Sequence, residues 1–169
     1  RLEFTIPARG LIGFRSELLT STKGNGIMNH VFHGYAPYKG DIPGRTRGSL
    51  VAFEQGETTG YGIYTLQDRG TMFIGPNEQV YEGMIVGENS RENDIDINPV
   101  RKTNGSHLRT SSSAEAIRLT PPRILSLEQA IESITSDELV EGTPEHIRLR
   151  KAILDRTIRG RNAKNARKG

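Results

Sequence analysis

The sequence predicts an α+β fold made of a β-α-β unit followed by a compact, strand-rich domain. Two observations support this. Within residues 1–35 the spacing of apolar residues changes from every second residue to every third or fourth and back, and from residue 48 onward short apolar runs are separated by Gly and Pro. The chain has 169 residues, of which 34% are hydrophobic and 25% charged. This composition suits one ordinary domain or two small ones and excludes wholesale disorder.

The β-α-β unit is read from the first part of the chain. Residues 1–6 alternate apolar and polar, which predicts a half-buried strand. Pro7 favours the first turn of a helix that runs to about Lys23, and Gly24 suits its C-terminal cap. A second strand is predicted over residues 27–35.

The rest of the chain predicts short strands and one helix. Ser126 and Gln129 have the spacing of a capping box, which predicts a short helix over residues 127–134. Residues 39–47 predict a Gly/Pro linker, and residues 152–165 either a weak basic helix or a tail. Apolar runs between polar turns predict strands over residues 49–54, 61–66, 71–74, 83–88, 139–140 and 147–151, with a further candidate at 115–119.

Several catalytic and metal-binding classes are excluded by what the sequence lacks. There is no Cys, which excludes disulfides, thiolate metal sites and a Cys nucleophile. Neither the Gly-Lys dipeptide of a P-loop nor a Gly-x-Ser-x-Gly elbow occurs. The run Asp94-x-Asp96-x-Asn98 opens like a calcium-binding loop, but Pro99 and Gly105 stand where that pattern needs Gly and Glu. We expect no catalytic residue, cofactor or metal ion in this chain.

The sequence also contains no membrane or export signal. No apolar run reaches the roughly 18 residues needed to span a bilayer, and no basic-then-apolar segment opens the chain. The chain starts at Arg1 without an initiator Met. We therefore expect a fragment of a longer protein that does not act at a membrane.

Positive charge is concentrated at the C-terminal end. Residues 147–169 contain nine Lys or Arg and one acid, a net charge of +8, whereas the other 146 residues contain 14 Lys or Arg and 19 acids, a net charge of −5. This segregation points to a phosphate-rich partner, the alternative being a solvated tail. The candidate RNA-binding residues of this segment are Arg148, Arg150, Lys151, Arg156, Arg159, Arg161 and Lys164.

Residues 91–113 form a second candidate RNA surface. They predict no regular element, and so long a stretch inside a compact domain is usually functional or disordered. Basic side chains among Asn, Ser and Thr suit RNA phosphates, sugars and exposed bases, and a surface insertion without function is the alternative. The candidates here are Arg91, Arg101, Lys102, His107 and Arg109.

A third and weaker set of cations lies in the first unit and the linker. It comprises Arg9, Arg15, Lys23, Lys39, Arg45 and Arg47. Few aromatic residues accompany any of the three sets in sequence, so base stacking is not the expected mode of contact. We expect mainly electrostatic contact that weakens with added salt.

The motifs of this chain resemble one branch of the translational GTPases. The stretches Pro-Ala-Arg-Gly-Leu-Ile-Gly-Phe-Arg-Ser (7–16) and Gly-Tyr-Ala-Pro-Tyr-Lys-Gly (34–40) resemble the second half of domain V of elongation factor G-type proteins, in the wording of the BipA/TypA family. The resemblance continues through residues 26–32, 73–76, 80–88, 119–122, 127–130 and 137–141. It implies half of domain V at residues 1–38, a linker at 39–47, a family-specific C-terminal domain at 48–157 and a basic tail at 158–169.

The same resemblance implies an incomplete ferredoxin-like sheet. A complete one needs the order βαββαβ, and the absent half would supply the strand between the two present here. Unpaired strand edges invite pairing with another chain. We expect the rest of the protein, or a second copy of the chain, to fill the open position.

The function implied by the resemblance is that of a cytoplasmic factor acting on the ribosome. GTP and Mg²⁺ would be bound by an N-terminal domain outside this chain, while this region would contact large-subunit rRNA and A-site tRNA and support subunit assembly and stress-responsive translation. In the family the loop at 91–113 points toward the peptidyl transferase centre. The alternative is a protein–protein interaction or assembly module with a non-specific basic tail.

Overall fold

The computed structural model describes residues 1–40, 45–102 and 118–166. Its helices and strands lie mostly after residue 48, and two 3-10 turns add to them at Ala8–Leu11 and Gln67–Arg69. The helices are α1 (Phe14–Ser21), α2 (Gly60–Leu66), α3 (Leu127–Ser133) and α4 (Arg156–Ala166). The strands are β1 (Ser49–Ala52), β2 (Gly56–Glu57), β3 (Gly70–Met72), β4 (Gln79–Val80), β5 (Met84–Asn89), β6 (Ile95–Ile97), β7 (Glu138–Gly142) and β8 (Ile147–Lys151).

One mixed sheet organises the chain after residue 48. Its strand order is β6-β1-β5-β8-β7, and β3 pairs with the C-terminal half of β5. β1 and β6 run parallel, whereas the other pairs in this sheet are antiparallel. β2 and β4 form a separate two-stranded sheet. The predicted α+β class is confirmed.

The sheet buries apolar side chains on both faces because successive residues of a strand point to opposite sides. On one face Leu50 packs with Ile63 and Leu66 of α2 in the larger core cluster. On the other face Val51 packs with Ala130 of α3 in the smaller one. The sheet therefore lies between α2 and α3.

The prediction of a strand at residues 61–66 is wrong, because this segment forms α2. Thr59 caps the helix by accepting a hydrogen bond from the Gly62 backbone N–H at 2.9 Å. Ile63 and Leu66, three residues apart, then enter the core from one helical face. The predicted hairpin with residues 49–54 is therefore replaced by a strand followed by a helix.

Gly62 lets α2 approach the backbone of Pro99. A Cβ at this position would lie 2.2 Å from the Pro99 carbonyl oxygen, whereas a Cβ at Gly60 in the same helix would meet open space. We expect Gly62→Ala to destabilise the fold by about 1–3 kcal/mol, since over-packing forces the helix away from its support. Gly60→Ala, the matched control, is expected to be neutral or to stabilise by up to about 1 kcal/mol. Urea unfolding checks both, and equal stabilities of the two variants would contradict the close approach.

Other predicted elements compare with the structure as follows. α3 begins at the predicted capping box, with both reciprocal hydrogen bonds between Ser126 and Gln129 present. The strands predicted at 49–54, 71–74, 83–88, 139–140 and 147–151 are confirmed as β1, β3, β5, β7 and β8, with altered ends. Residues 156–166 form a helix, one of the two alternatives for that segment. The described part of the chain after the linker therefore differs from the predicted helices by α2, which forms where a strand is predicted.

The prediction that residues 91–113 hold no regular element is also wrong for the beginning of this segment. β6 lies within it and pairs with β1 through Leu50, Val51 and Ala52. A three-residue strand with a charged middle residue gives little periodic signal in sequence. Residues 103–113 lie outside the described residues, as do 115–117 of the strand candidate at 115–119.

In the N-terminal unit only the helix is realised. α1 ends at Ser21, and the Gly24 backbone N–H bonds the Leu19 carbonyl at 2.7 Å, as a helix-ending glycine does. Neither residues 1–6 nor residues 27–35 form a strand. Their apolar side chains stay exposed, for example Phe4 at 82%. A strand is stabilised by pairing with a neighbour, and these two segments do not pair with each other.

Candidate nucleic-acid interface

The structure divides the candidate cations into those held inside the fold and those left outside it. Lys151 belongs to the first group, with its side chain only 3% exposed. Its ammonium group lies 2.6 Å from Asp94, 2.9 Å from Asp137 and 3.0 Å from Glu138. The assignment of Lys151 to an RNA surface is corrected, because three carboxylates already surround its charge.

Arg45 is the second cation held inside. Its guanidinium lies 2.9 Å from the buried carboxylate of Glu138, and it also donates to the Ser49 hydroxyl at 2.8 Å. The Arg45 side chain is 7% exposed. This contact ties the segment before β1 to β7, so Arg45 is also removed from the candidate RNA surface.

Glu138 makes the stability of the fold depend on pH. Burial alone would raise the pKa of Glu138, but hydrogen bonds from Ser49 and Lys151 outweigh that effect, so the pKa lies below its ordinary value of 4.5. Such an acid stabilises the folded state above its unfolded pKa, and this contribution is lost as the pH falls through the folded pKa. We expect the free energy of unfolding to fall below pH 4.5, and Glu138→Gln to reduce this dependence.

Urea unfolding at a series of pH values measures this effect. Wild type and Glu138→Gln are compared by how steeply their free energy of unfolding changes with pH, because the substitution also changes stability at neutral pH. The same acid-side slope in variant and wild type would contradict the role given to Glu138. On the alkaline side burial lowers the pKa of Lys151, but the hydrogen bonds that its ammonium donates to Asp94, Asp137 and Glu138 outweigh burial, so the pKa lies above its ordinary value of 10.5. Its contribution is thus complete below pH 10.5 and is lost as the pH rises through the folded pKa.

The first turn of α4 is held against the sheet by Asp96. The Arg156 Nε lies 3.1 Å and the Arg159 Nη2 2.7 Å from the two oxygens of this carboxylate. Arg156 also lies over the Phe53 ring at 4.8 Å, and its backbone N–H bonds Glu82 at 2.8 Å. These two arginines are partly neutralised within the fold, and their contact with RNA stays a prediction. Further along α4 the exposed cations are Arg161 and Lys164.

The two arginines of β8 share one face of the strand, as its alternation predicts. Arg148 stands opposite Glu141 of β7, and both arginines are half-buried. Tyr81 donates a hydrogen bond to Glu141 from the neighbouring loop. Burial and this hydrogen bond raise the pKa of Tyr81, so it stays protonated. Arg148 and Arg150 therefore border a polar cluster rather than an open basic face.

α2 supports both ends of the segment that the structure does not describe between residues 102 and 118. We call residues 98–102 the outgoing foot and residues 118–120 the returning foot. Val100 and Leu119 each pack against the core cluster that contains α2. The two feet are thus both packed against the same core.

Hydrogen bonds fasten each foot to one end of α2. At the start of the helix the Thr59 backbone N–H bonds the Pro99 carbonyl at 3.1 Å, and its hydroxyl bonds the Arg101 carbonyl at 2.5 Å. Just beyond the end of the helix the Gln67 amide bonds the Arg118 carbonyl at 3.3 Å and accepts from the Thr120 N–H at 3.1 Å. α2 therefore spans the distance between the two feet.

Three exposed cations stand on the two feet, namely Arg101, Lys102 and Arg118. Within the described ranges none of them forms an ion pair. The Arg101 guanidinium lies 6.0 Å from the centre of the Tyr61 ring on α2. We call the outer face of α2 together with these three cations the α2 platform.

A second group of arginines lies where β1 and β3 begin and β5 ends. The Gly48 N–H bonds the Arg91 carbonyl at 2.8 Å, and the Ser90 N–H bonds the Arg69 carbonyl at 2.8 Å, which brings these backbones together. The Glu88 carboxylate lies 3.8 Å from the Arg47 guanidinium and 3.3 Å from the Arg123 guanidinium. We call this group the strand-end cluster; it consists of Arg47, Arg69, Arg91 and Arg123. The 3-10 turn Gln67–Arg69 follows α2, so the chain runs from the α2 platform directly into this cluster.

The weaker N-terminal candidates lie apart from these groups in sequence. Arg9 lies over the Tyr38 ring at 4.3 Å and donates to the Gly40 carbonyl. Arg15, Lys23 and Lys39 are exposed. Of the candidates at 91–113, His107 and Arg109 lie outside the described residues.

Sequence reasoning missed Arg69, Arg118 and Arg123, because each stands alone among polar or apolar neighbours and becomes part of a group only through the fold. It also missed the aromatic residues of α2, which are distant in sequence from Arg101. Their signal was the helical spacing of Ile63 and Leu66, which leaves Tyr61 and Tyr64 on another face.

Residues 1–40, 45–102 and 118–166 contain neither a metal-binding cluster nor a membrane-spanning helix. No three His, Asp or Glu side chains in these ranges gather in a way that could hold a metal ion. No helix in them has both the length and the apolar character to cross a membrane.

Comparisons with known proteins agree with the motif resemblance. The model of the elongation factor G C-terminus matches residues 1–46, and that of the TypA/BipA C-terminal domain matches residues 47–156. A protein named large ribosomal subunit assembly factor BipA in Bacillus subtilis is 45% identical over 165 residues, covering 97% of this chain and 27% of that protein. Proteins of the same name are 46% identical in Haemophilus influenzae, over 95% of this chain and 26% of the relative, and 45% in Synechocystis, over 94% and 27%.

The chain thus spans about a quarter of the length of the curated relatives that it matches. The match to the TypA/BipA model covers well over half of the chain and includes the sheet, α2, α3 and the described part of both feet. From this match, together with the resemblance of its motifs, the chain belongs to the TypA/BipA family.

Proposed function

We propose that this chain is an RNA-binding region through which a TypA/BipA-type factor contacts the ribosome. Its relatives are named large ribosomal subunit assembly factors, which supports the large subunit as the partner. The observation that carries the proposal is the separation of the cations. Lys151 and Arg45 are both paired with the buried carboxylate of Glu138, whereas the α2 platform and much of the strand-end cluster present charge to solvent.

In this proposal the phosphates of large-subunit rRNA and of A-site tRNA are the anions that these cations meet. Contacts to phosphate supply affinity and position the protein without reading sequence. The residues proposed for contact are those of the α2 platform and the strand-end cluster, with Arg161 and Lys164 on α4 as a separate group. His107, Arg109 and the weaker N-terminal cations stay as proposals from the sequence.

The whole protein, in the same proposal, is a cytoplasmic GTPase that supports large-subunit assembly and stress-responsive translation. GTP and Mg²⁺ would bind in a domain outside this chain, and this chain would contribute binding rather than catalysis. We also propose the division into half of domain V at 1–38, a linker at 39–47, the C-terminal domain at 48–157 and a basic segment at 158–169. The exposed apolar residues at 1–6 and 27–35 support pairing of this half domain with a further strand.

The second candidate function is a protein–protein interaction or assembly module. The same exposed apolar residues favour it, because large unpartnered apolar surface marks interaction sites.

Co-sedimentation with large ribosomal subunits separates the two functions. The chain is incubated with subunits at low and at physiological salt, with and without prior RNase treatment of the subunits. The RNA-binding proposal predicts binding that falls steeply with salt and is lost after RNase. Binding that is indifferent to salt and survives RNase would overturn it in favour of the protein-binding module.

A further inference from the structure

We propose that the α2 platform stacks an unpaired nucleobase of RNA on its two tyrosines. This rests on the proposed RNA-binding function and goes beyond it, since it names the ligand as a base rather than a phosphate. It also departs from the expectation, drawn from the few aromatic residues near the basic sets in sequence, that base stacking is not the main mode of contact.

The helix geometry presents both rings on its outer side. Ile63 is 2% and Leu66 7% exposed, which fixes the inner face of α2 against the sheet. Tyr61 and Tyr64 are three residues apart and so share a different face of the helix. Tyr64 is 45% exposed, and Tyr61 is half-buried. Nearly half of Tyr64 is therefore accessible to a ligand.

Charge around the rings suits the backbone of the same nucleotide. The Arg101 guanidinium lies 6.0 Å from the Tyr61 ring centre, and Arg118 stands at the opposite end of α2. An aromatic face flanked by arginine is the arrangement with which proteins hold single-stranded RNA, by stacking on the base and attracting the phosphates on either side.

Nearby acids do not cancel this charge. Glu54 and Glu57 line the groove that also contains Arg101 and Lys102, and Asp68 follows α2. Among the described residues none of these acids forms an ion pair with a cation of the α2 platform. Because Glu54 and Glu57 repel phosphate, the proposal places the RNA backbone outside this groove, toward Arg118.

The platform is also rigid on both sides. Thr59 and Gln67 bond the two feet, and Val100 and Leu119 fix them in the core. A surface that is already ordered loses little entropy on binding, so the stacking energy is realised as affinity. An RNA duplex, whose bases are stacked internally, offers no face to this surface.

The test measures the affinity of the whole chain for two short single-stranded RNAs. One carries ordinary bases, and the other has the same backbone with abasic sites in its central part. We expect wild type to bind the ordinary RNA more tightly, and the double variant Tyr61→Leu, Tyr64→Leu to lose about tenfold on it, the size that one stacked base contributes. On the abasic RNA the variant is expected to bind like wild type. Tyr64→Phe, which keeps the ring, is the matched control and is expected to bind both RNAs like wild type.

The outcomes separate this inference from the proposed function. Wild type binding both RNAs equally, or the leucine variant binding the ordinary RNA as tightly as wild type, would overturn stacking and leave electrostatic RNA binding in place. Wild type binding neither RNA would overturn both. If Tyr61→Leu disturbs folding, the single variant Tyr64→Leu carries the test. This variant removes only the more exposed ring. We expect it to bind the ordinary RNA no more tightly than the abasic RNA.

Discussion

Replacing Lys151 with methionine is expected to destabilise the fold by about 1.5–3 kcal/mol, the size of a lost hydrogen bond to a buried charged group. The Lys151 ammonium lies 3.0 Å from Glu138, whose side chain is fully buried. Without it the carboxylate keeps Arg45 and Ser49 but loses the cation contributed by β8. The same substitution releases Asp94 and Asp137, which are partly exposed and regain water at lower cost.

Urea unfolding at neutral pH measures this effect. Lys164→Met is the matched control because it removes the same charge from an exposed position on α4, and a change within about 0.5 kcal/mol is expected there. A Lys151→Met variant as stable as the Lys164→Met variant would show that the buried network does not hold β7 and β8 to the rest of the fold.

Replacing Arg101, Lys102 and Arg118 together with alanine is expected to weaken binding to large ribosomal subunits by at least about tenfold at physiological salt, since three phosphate contacts are removed. The three side chains are exposed and unpaired in the described part of the chain, so the fold should keep its stability. Co-sedimentation over a range of subunit concentrations measures the affinity of wild type and that of the triple alanine variant.

The control for this variant has the same change in charge at another place. Arg15, Lys23 and Lys39 are also exposed, and they belong to the N-terminal unit. Their triple alanine variant is expected to lose less affinity than the variant of the α2 platform. Equal losses of affinity in the two variants would mean that binding depends on net charge alone and not on a defined interface.

The sheet was predictable from sequence where a strand has an apolar interior and a clear end. β5 and β8 meet these conditions, as does α3 with its capping box. α2 failed because Tyr and Ile favour strands and only one cap and one pair of core residues reveal the helix. β6 failed because its pairing with β1 is long-range and leaves no local signal.

The candidate site was predictable in kind and less so in detail. Arg101 and Lys102 were found because they stand in a basic stretch, and the structure places both on the outgoing foot. Lys151 was misplaced because alternation along β8 assigns it to a face but does not show that Asp94, Asp137 and Glu138 converge there. Burial of a charge depends on partners that are remote in sequence.

The N-terminal strands show a different limit. Their alternating apolar residues are a correct signal of strand propensity at residues 1–6, yet no strand forms there. Propensity becomes a strand only when a neighbour accepts its backbone hydrogen bonds.

The salt dependence of affinity for large ribosomal subunits tests the central claim most directly, in wild type and in the Arg101, Lys102, Arg118 triple alanine variant. Each phosphate contact contributes about 0.7–0.9 to the slope of log affinity against log salt, so the variant should have a slope smaller by about two to three. Two parallel lines would show that these three cations do not meet RNA phosphates, and the proposed interface would be wrong.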